Sequence, residues 1–240
     1  MAEKNLHLQP RLRCLADLVP QNARLADIGT DHGYIPVYLL QRGRIGHAIA
    51  ADIGAEPLEH ARRTAEEYEL TEQIDFHLCD GLAGIRPEET DCILIAGMGG
   101  ETIISILENA PWLTAGEHRL LLQPQSRQEL LRTWLMEHGF RILREHLALD
   151  KGTIYNVMQV EAGACQPLSE VELYGGVNLE ADPLYGDYLD WQINKMARSV
   201  KGLRLSKNDD AKQRADELER LMALLEEKKG AWSGGKRTGN

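Results

Sequence analysis

The sequence has no apolar run near the roughly 20 residues that a membrane-spanning helix needs. Its opening, Met1-Ala2-Glu3-Lys4-Asn5, has no apolar signal core. A cytoplasmic location is therefore expected, with no membrane partner. Cysteine is sparse: Cys14, Cys79, Cys92 and Cys165 form no CxxC pair. That argues against a zinc framework and a disulfide framework alike, and no metal is expected. Cys79 and Cys92 lie in apolar runs and read as small buried hydrophobes. Positive charge is also short. The net charge of −10 rules out a uniformly basic nucleic-acid coat but leaves room for a local basic patch. No repeat at solenoid periods occurs. What is present is 240 residues, 43% hydrophobic and 27% charged. That is an ordinary globular composition, long enough to bury a core without staples.

From Arg24 to about Val160, strand-like runs alternate with amphipathic stretches. The runs are Arg24 to Ile28, His47 to Asp52, Ile74 to Cys79, Cys92 to Ala96 and Leu120 to Leu122. Phe140 to Leu149 and Thr153 to Glu161 follow, joined by a Lys151-Gly152 turn too short for anything but an antiparallel hairpin. Continuous apolar strands need helices on both faces, so the sequence predicts an α/β fold with a mostly parallel sheet. Helices are predicted over Glu56 to Glu69 and Ser126 to His138, with Leu12, Leu15, Ala16 and Val19 marking another upstream. Ser126 and Glu129 read as a capping box. The α/β unit spans 1–162. Residues 163–229 hold a connector and two heptad seams, read as an antiparallel helical hairpin that can satisfy its own seam; a monomer is favoured on that ground. Residues 230–240 form a Gly-rich tail, expected to be disordered.

The chemistry gathers at strand ends, where open α/β sheets bind ligands. The segment Asp27-Ile28-Gly29-Thr30-Asp31-His32-Gly33 has the spacing D-x-G-x-D-x-G. It is a poor match to the dinucleotide fingerprint. It resembles the D-x-G-x-G-x-G loop of class I S-adenosylmethionine-dependent methyltransferases, with Asp31 at the middle glycine. A capped turn is the plainer alternative. Asp52 ends the next strand, where a carboxylate either accepts from ribose hydroxyls or caps a helix. Asp80-Gly81 ends the third strand. Gly97-Met98-Gly99-Gly100 follows the fourth, a glycine density suited to backbone lying against a ligand. Gln123-Pro124-Gln125 follows the fifth, and an amide there suits reading a base edge. These converging stops point to a nucleoside cofactor.

Three strings then carry a resemblance. Ala26-Asp27-Ile28-Gly29-Thr30-Asp31-His32-Gly33-Tyr34-Ile35-Pro36, Ala96-Gly97-Met98-Gly99-Gly100 and Leu122-Gln123-Pro124-Gln125 resemble the bacterial tRNA (adenine-22-N1)-methyltransferases, the TrmK family, over nearly the whole chain. Thr30, Gly33 and Gln125 stand where that family usually has Ser, Ala and Asn. The resemblance implies a class I methyltransferase sheet of seven strands with the last inserted antiparallel. It implies S-adenosyl-L-methionine as cofactor and methyl transfer to N1 of adenine 22 in tRNA. It makes 1–162 the cofactor-binding domain. Asp27, Gly29, Asp31, Asp52, Asp80, Gly81, Gly97, Met98 and Gly99 are then cofactor candidates. Asp31, His32, Gln123 and Tyr155 are catalytic candidates, with Asp31 placed to stabilise the cationic ring. Arg11, Tyr34, Gly100, Pro124 and Gln125 face the substrate. On the hairpin, Lys195, Arg198, Lys201, Arg204 and Lys207 recur every three residues. They read as a phosphate-gripping stripe, with Arg198, Lys201 and Arg204 as tRNA contacts, or as a solvated face balanced by acidic neighbours. The competing functions are a class I methyltransferase acting on a small molecule or protein, and a non-catalytic module whose hairpin docks a partner.

Overall fold

A computed structural model describes residues 5–235. Two compact units emerge, residues 1–166 and 167–240. The first holds a seven-stranded sheet in the order β3-β2-β1-β4-β5-β7-β6. Its strands are β1 (Leu25–Ile28), β2 (Ala48–Asp52), β3 (Ile74–Leu78), β4 (Cys92–Gly99), β5 (Arg119–Ser126), β6 (Phe140–Asp150) and β7 (Thr153–Ala162). The pairings from β3 to β5 are parallel, and β7 enters antiparallel between β5 and β6. This is the expected Rossmann-like methyltransferase architecture.

Alternation along each strand divides the core in two. Leu25, Ala48, Ala50, Cys92, Leu94 and Leu121 face one layer, with α1 (Pro10–Leu18), α2 (Tyr34–Gln41) and α3 (Ala55–Glu67). Ala26, Ile49, Ile93, Ile95, Leu120 and Met158 face the other, with α4 (Gly100–Glu108) and α5 (Gln128–Glu137). Cys92 is buried as expected, and burial pushes its thiol up to about 12. Cys79 lies just past β3 and is only half-buried.

Two local expectations are corrected. Ser126 is the last residue of β5, paired with Gly99, and not a helix cap. The turn into α5 is made by Arg127, at φ 54° and with no side-chain cap. Pairing with β4 outlasts the apolar run because the β4 glycines admit register shifts beside Met98. The connector after β7 also contains α6 (Glu170–Gly175), capped by a Ser169–Glu172 box.

Behind the sheet, α5 is tied to the β6–β7 hairpin by a buried polar network. Arg132 donates to both oxygens of Glu145 at 2.7 and 2.8 Å, and Asn156 donates to Glu145 at 2.5 Å. All three residues are sealed from solvent.

In the second unit, α7 (Tyr185–Arg204) and α8 (Asp209–Gly235) form an antiparallel hairpin. Asp190, near the start of α7, pairs with Lys229 at 2.6 Å, whereas Arg204 at its end pairs with Glu219 at 2.8 Å. Leu189, Met196, Ala215, Leu218, Leu221 and Leu225 are buried along the seam. The helix α8 continues through 230–235, where a tail was expected. Trp232 donates to the Glu180 carbonyl at 2.8 Å and meets the Tyr185 ring edge-on. The rest of the expected tail, 236–240, lies outside the described residues. Among the described residues, no helix is long and apolar enough to cross a membrane.

Candidate functional site

A cavity of about 720 Å³ opens at the carboxyl ends of β1 and β4. Its wall includes Arg11, Asp27, Gly29, Asp31, His32, Tyr34, Gly97 and Gln125, eight of the residues singled out from the sequence. The β1–α2 loop is held open by its backbone. The N–H groups of Gly29 and Thr30 both donate to the Ala51 carbonyl, at 2.8 and 3.1 Å. Gly29 adopts φ +75°, and a Cβ there would fall 2.1 Å from the Met98 methyl. The left-handed φ is what calls for glycine here, since the flexible end of Met98 can swing away from a Cβ.

Asp27 is buried and accepts a 2.8 Å hydrogen bond from the Thr30 hydroxyl. Burial, above all, raises its carboxyl from an ordinary 3.8 to about 6; the Thr30 bond opposes that and the charge of Asp52 adds to it. Asp27 is thus a buried acid with no cationic partner among the described residues, facing a cavity. Asp52 accepts from the Gly54 N–H at 2.7 Å, which shapes the turn into α3. That bond closes a turn before the helix and is not a helix cap, since the N-cap of α3 is Gly54 and carries no side-chain cap bond. Asp80 and Gly81 sit in the turn after β3, outside the cavity wall, with Gly81 at φ +55° over Ile106. Exposed Ile53 and Leu78 flank Asp52, two apolar side chains that the strand pattern had given no reason to single out.

A second group adjoins the cavity. Gln123 is fully buried and accepts from Arg11 Nη1 at 2.8 Å. An arginine can only donate, so Gln123 Oε1 faces Arg11 and the Nε2 group points away, buried with no partner among the described residues. The Arg11 guanidinium lies 5.3 Å over the Tyr155 ring. A Cβ at Gly97 would sit 3.7 Å from Arg11 Nη1 and 3.8 Å from Gln125 Nε2. Arg11, Gln123, Gln125 and Tyr155 therefore form one polar group beside the glycine loop. Pro124 is buried in β5, and Gly100 packs where a Cβ would meet the Arg127 carbonyl at 2.5 Å. Both shape the loop and offer it no functional group.

His60, on α3, was not foreseen. It stacks on His32 at 5.0 Å, and His32 stacks on Tyr34 at 5.0 Å. No local pattern announces this, since α3 and the loop meet only through the fold. The cavity wall also takes Leu6, His7, Leu8 and Gln9 from the segment before α1.

Arg198, Lys201 and Arg204 lie on α7, in the other unit. Arg204 is committed to Asp216 and Glu219 within the hairpin, so at this position the balanced, solvated reading holds. Arg198 and Lys201 are exposed, and no ion pair holds them among the described residues.

Comparison with known proteins agrees with this geometry. The profile of the methyltransferase domain family matches residues 8–158. The tRNA (adenine(22)-N(1))-methyltransferase of Bacillus subtilis is 35% identical over 189 residues, 79% of this chain and 77% of that protein. The crystal structure of the B. subtilis m1A22 tRNA methyltransferase TrmK superposes with a TM-score of 0.82 at 31% identity, covering 93% of this chain and 99% of that one. Protein Sp1610 of Streptococcus pneumoniae, solved in complex with S-adenosyl-L-methionine, superposes with a TM-score of 0.77 at 30% identity, covering 90% of this chain and all of that one (100%).

Proposed function

The chain belongs to the tRNA (adenine(22)-N(1))-methyltransferase family, and from that premise we propose that it transfers a methyl group from S-adenosyl-L-methionine to N1 of adenine 22 in tRNA. The observation that carries this is the pairing of a buried, uncompensated acid with a glycine cradle at the strand ends. A sulfonium cofactor bearing an ammonium group brings the positive charge that Asp27 lacks. At Gly29 the left-handed backbone calls for glycine, which lets the loop backbone approach the cofactor closely. The residues fit the group. Asp27, Gly29 and Gly97 are the holding residues, with Asp52 at the neighbouring strand end for the ribose and Asp80 at the next for the base. When bound, the cofactor supplies an electrophilic methyl group.

The protein's own part is alignment and charge. Adenine N1 carries an in-plane lone pair and needs no proton removed before it attacks. Holding it in line with the methyl group is therefore the larger share of the task. N1 is occupied in a base pair, so the target base must be extruded or unpaired. Tyr34, backed by His32, offers a stacking face, and the exposed Gln125 on the cavity wall offers an amide to the base. As the methyl arrives the ring becomes cationic, and the Asp31 carboxylate stabilises it. Acting on tRNA, the enzyme works in the cytoplasm, and the self-satisfied hairpin favours a monomer.

Labelled methyl incorporation into unmodified tRNA transcripts tests the reading. Incorporation should vanish when A22 of the RNA is changed to G. Cofactor binding with no labelled tRNA would overturn the substrate assignment.

Asp27→Asn separates stability from function. Because the folded-state carboxyl is raised to about 6, ionising Asp27 weakens the fold progressively between about pH 4 and 6 and fully above that. Asparagine removes the penalty and keeps an acceptor for Thr30. At pH 7.5 the cofactor-free variant should gain up to about 3 kcal/mol in urea unfolding while losing cofactor affinity. A variant that binds cofactor as well as wild type would deny Asp27 its role.

The unpaired hairpin cations give a second test. Arg198→Glu with Lys201→Glu should weaken tRNA binding and reduce its salt dependence, the slope of log K against log salt falling by about 2. Cofactor affinity should not change. Unaltered tRNA affinity would return both residues to a solvated face.

A further inference from the structure

We propose that Asp31, His32 and His60 form a binding site for a divalent transition-metal ion, with zinc as the best fit. One donor atom from each lies within 4.8 Å of the other two. Asp31 Oδ2 is 3.4 Å from His32 Nε2, and Asp31 Oδ1 is 3.7 Å from His60 Nδ1. Ligand atoms 2.0–2.2 Å from a tetrahedral zinc lie roughly 3.4 Å apart, which the two Asp31 separations already approach; His32 and His60 stack nearly parallel, so one ring must turn out of that stack for both nitrogens to face one ion.

Besides the contact of Asp31 with His32 and the stacking of the two imidazole rings, no hydrogen bond among the described residues ties up the three donor atoms. The Asp31–His60 separation is beyond hydrogen-bond reach. His60 Nδ1 is shielded from solvent with no hydrogen-bond partner among the described residues, a cost that a metal would remove. The framework is fixed on both sides. Gly33, at φ +62°, brings the loop so close to α3 that a Cβ would sit 3.1 Å from the Ala61 Cβ, one residue past His60. On the other side the loop is pinned to the Ala51 carbonyl. The Asp31 side chain is 69% exposed and lines the cavity, which leaves positions for water. Two imidazoles and a carboxylate with an open position suit zinc, or cobalt as its spectroscopic substitute, better than magnesium or calcium.

Such a site regulates the reaction by removing the Asp31 carboxylate from it. The inhibition rests on the methyltransferase reading; the binding does not.

Calorimetric titration of chelator-treated full-length protein with zinc chloride should give one equivalent bound. Cobalt(II) should give d–d absorption of a nitrogen- and oxygen-ligated ion. His60→Ala and His60→Gln should each weaken zinc binding about tenfold or more, with thermal melts like wild type and the methylation of each variant compared with its own metal-free rate. Zinc should inhibit wild-type methylation reversibly on addition of EDTA and leave His60→Ala largely resistant. Absence of stoichiometric zinc binding, or equal binding by both His60 variants and wild type, overturns the site. If zinc binds through His60 but no tRNA is methylated even without it, the site stands and the functional reading fails.

Discussion

Asp31→Ala is expected to lower kcat for tRNA methylation by about 10²- to 10³-fold, with little change in the folding transition. The argument is one of charge. The adenine ring is neutral before transfer and cationic after it, so a carboxylate nearby favours the transition state over the ground state, which is what raises kcat. In open solvent, unit charges 4 Å apart gain only about 1 kcal/mol, and in a partly desolvated site about 4. Asp31 is mostly exposed before substrate binds. Its effect therefore depends on the base covering it, and the loss belongs in kcat more than in KM. Asp31→Asn keeps the shape and loses the charge, so it should fall nearly as far as the alanine variant. Full activity in Asp31→Asn, with loss in Asp31→Ala, would make Asp31 a loop-shaping residue. Full activity in both would remove it from the mechanism.

What the sequence disclosed, and what it hid, follows from the range of the interactions. Strand runs such as Cys92 to Ala96 are legible because burial on both faces leaves no polar residue in them. Strand-end acids and glycines were legible because the chain must turn there. Ser126 misled because a serine three residues before a glutamate fits a cap, while β-pairing to Gly99 extended the strand through it. Residues 230–235 misled because glycine-rich composition suggests disorder; what composition does not reveal is that Trp232 finds Tyr185 and the Glu180 carbonyl. The stripe at Lys195 to Lys207 was visible as spacing, but whether each charge is free depends on α8, which takes Arg204 and leaves Arg198. His60 was hidden altogether. Its relation to Asp31 exists only once α3 has packed on the loop through Gly33 and Ala61.

The largest loss of stability is expected at Glu145. Glu145→Ala takes from the buried Arg132 guanidinium the carboxylate that accepts two of its hydrogen bonds and takes away the acceptor of Asn156. Breaking a buried pair in this way costs about 3–5 kcal/mol, a large part of the 5–15 kcal/mol that typically holds a domain folded. The pair itself need not be favourable, since desolvating both ions offsets most of their attraction. Arg132→Met with Glu145→Leu should therefore regain most of the loss. It should still fall about 1–3 kcal/mol short while the Asn156 amide remains buried and unpaired, and Asn156→Val should recover that remainder. Urea unfolding of the three variants decides the matter. If Glu145→Ala unfolds within about 1 kcal/mol of wild type, water reaches Arg132 and the network is not closed. The consequence for function runs along β7. Side chains alternate across a strand, so Asn156 faces the buried network while Tyr155 faces Arg11. The single variant loosens the hairpin that holds Tyr155 and should raise KM for tRNA below its melting temperature, an effect the repacked triple variant should reverse without restoring any charge.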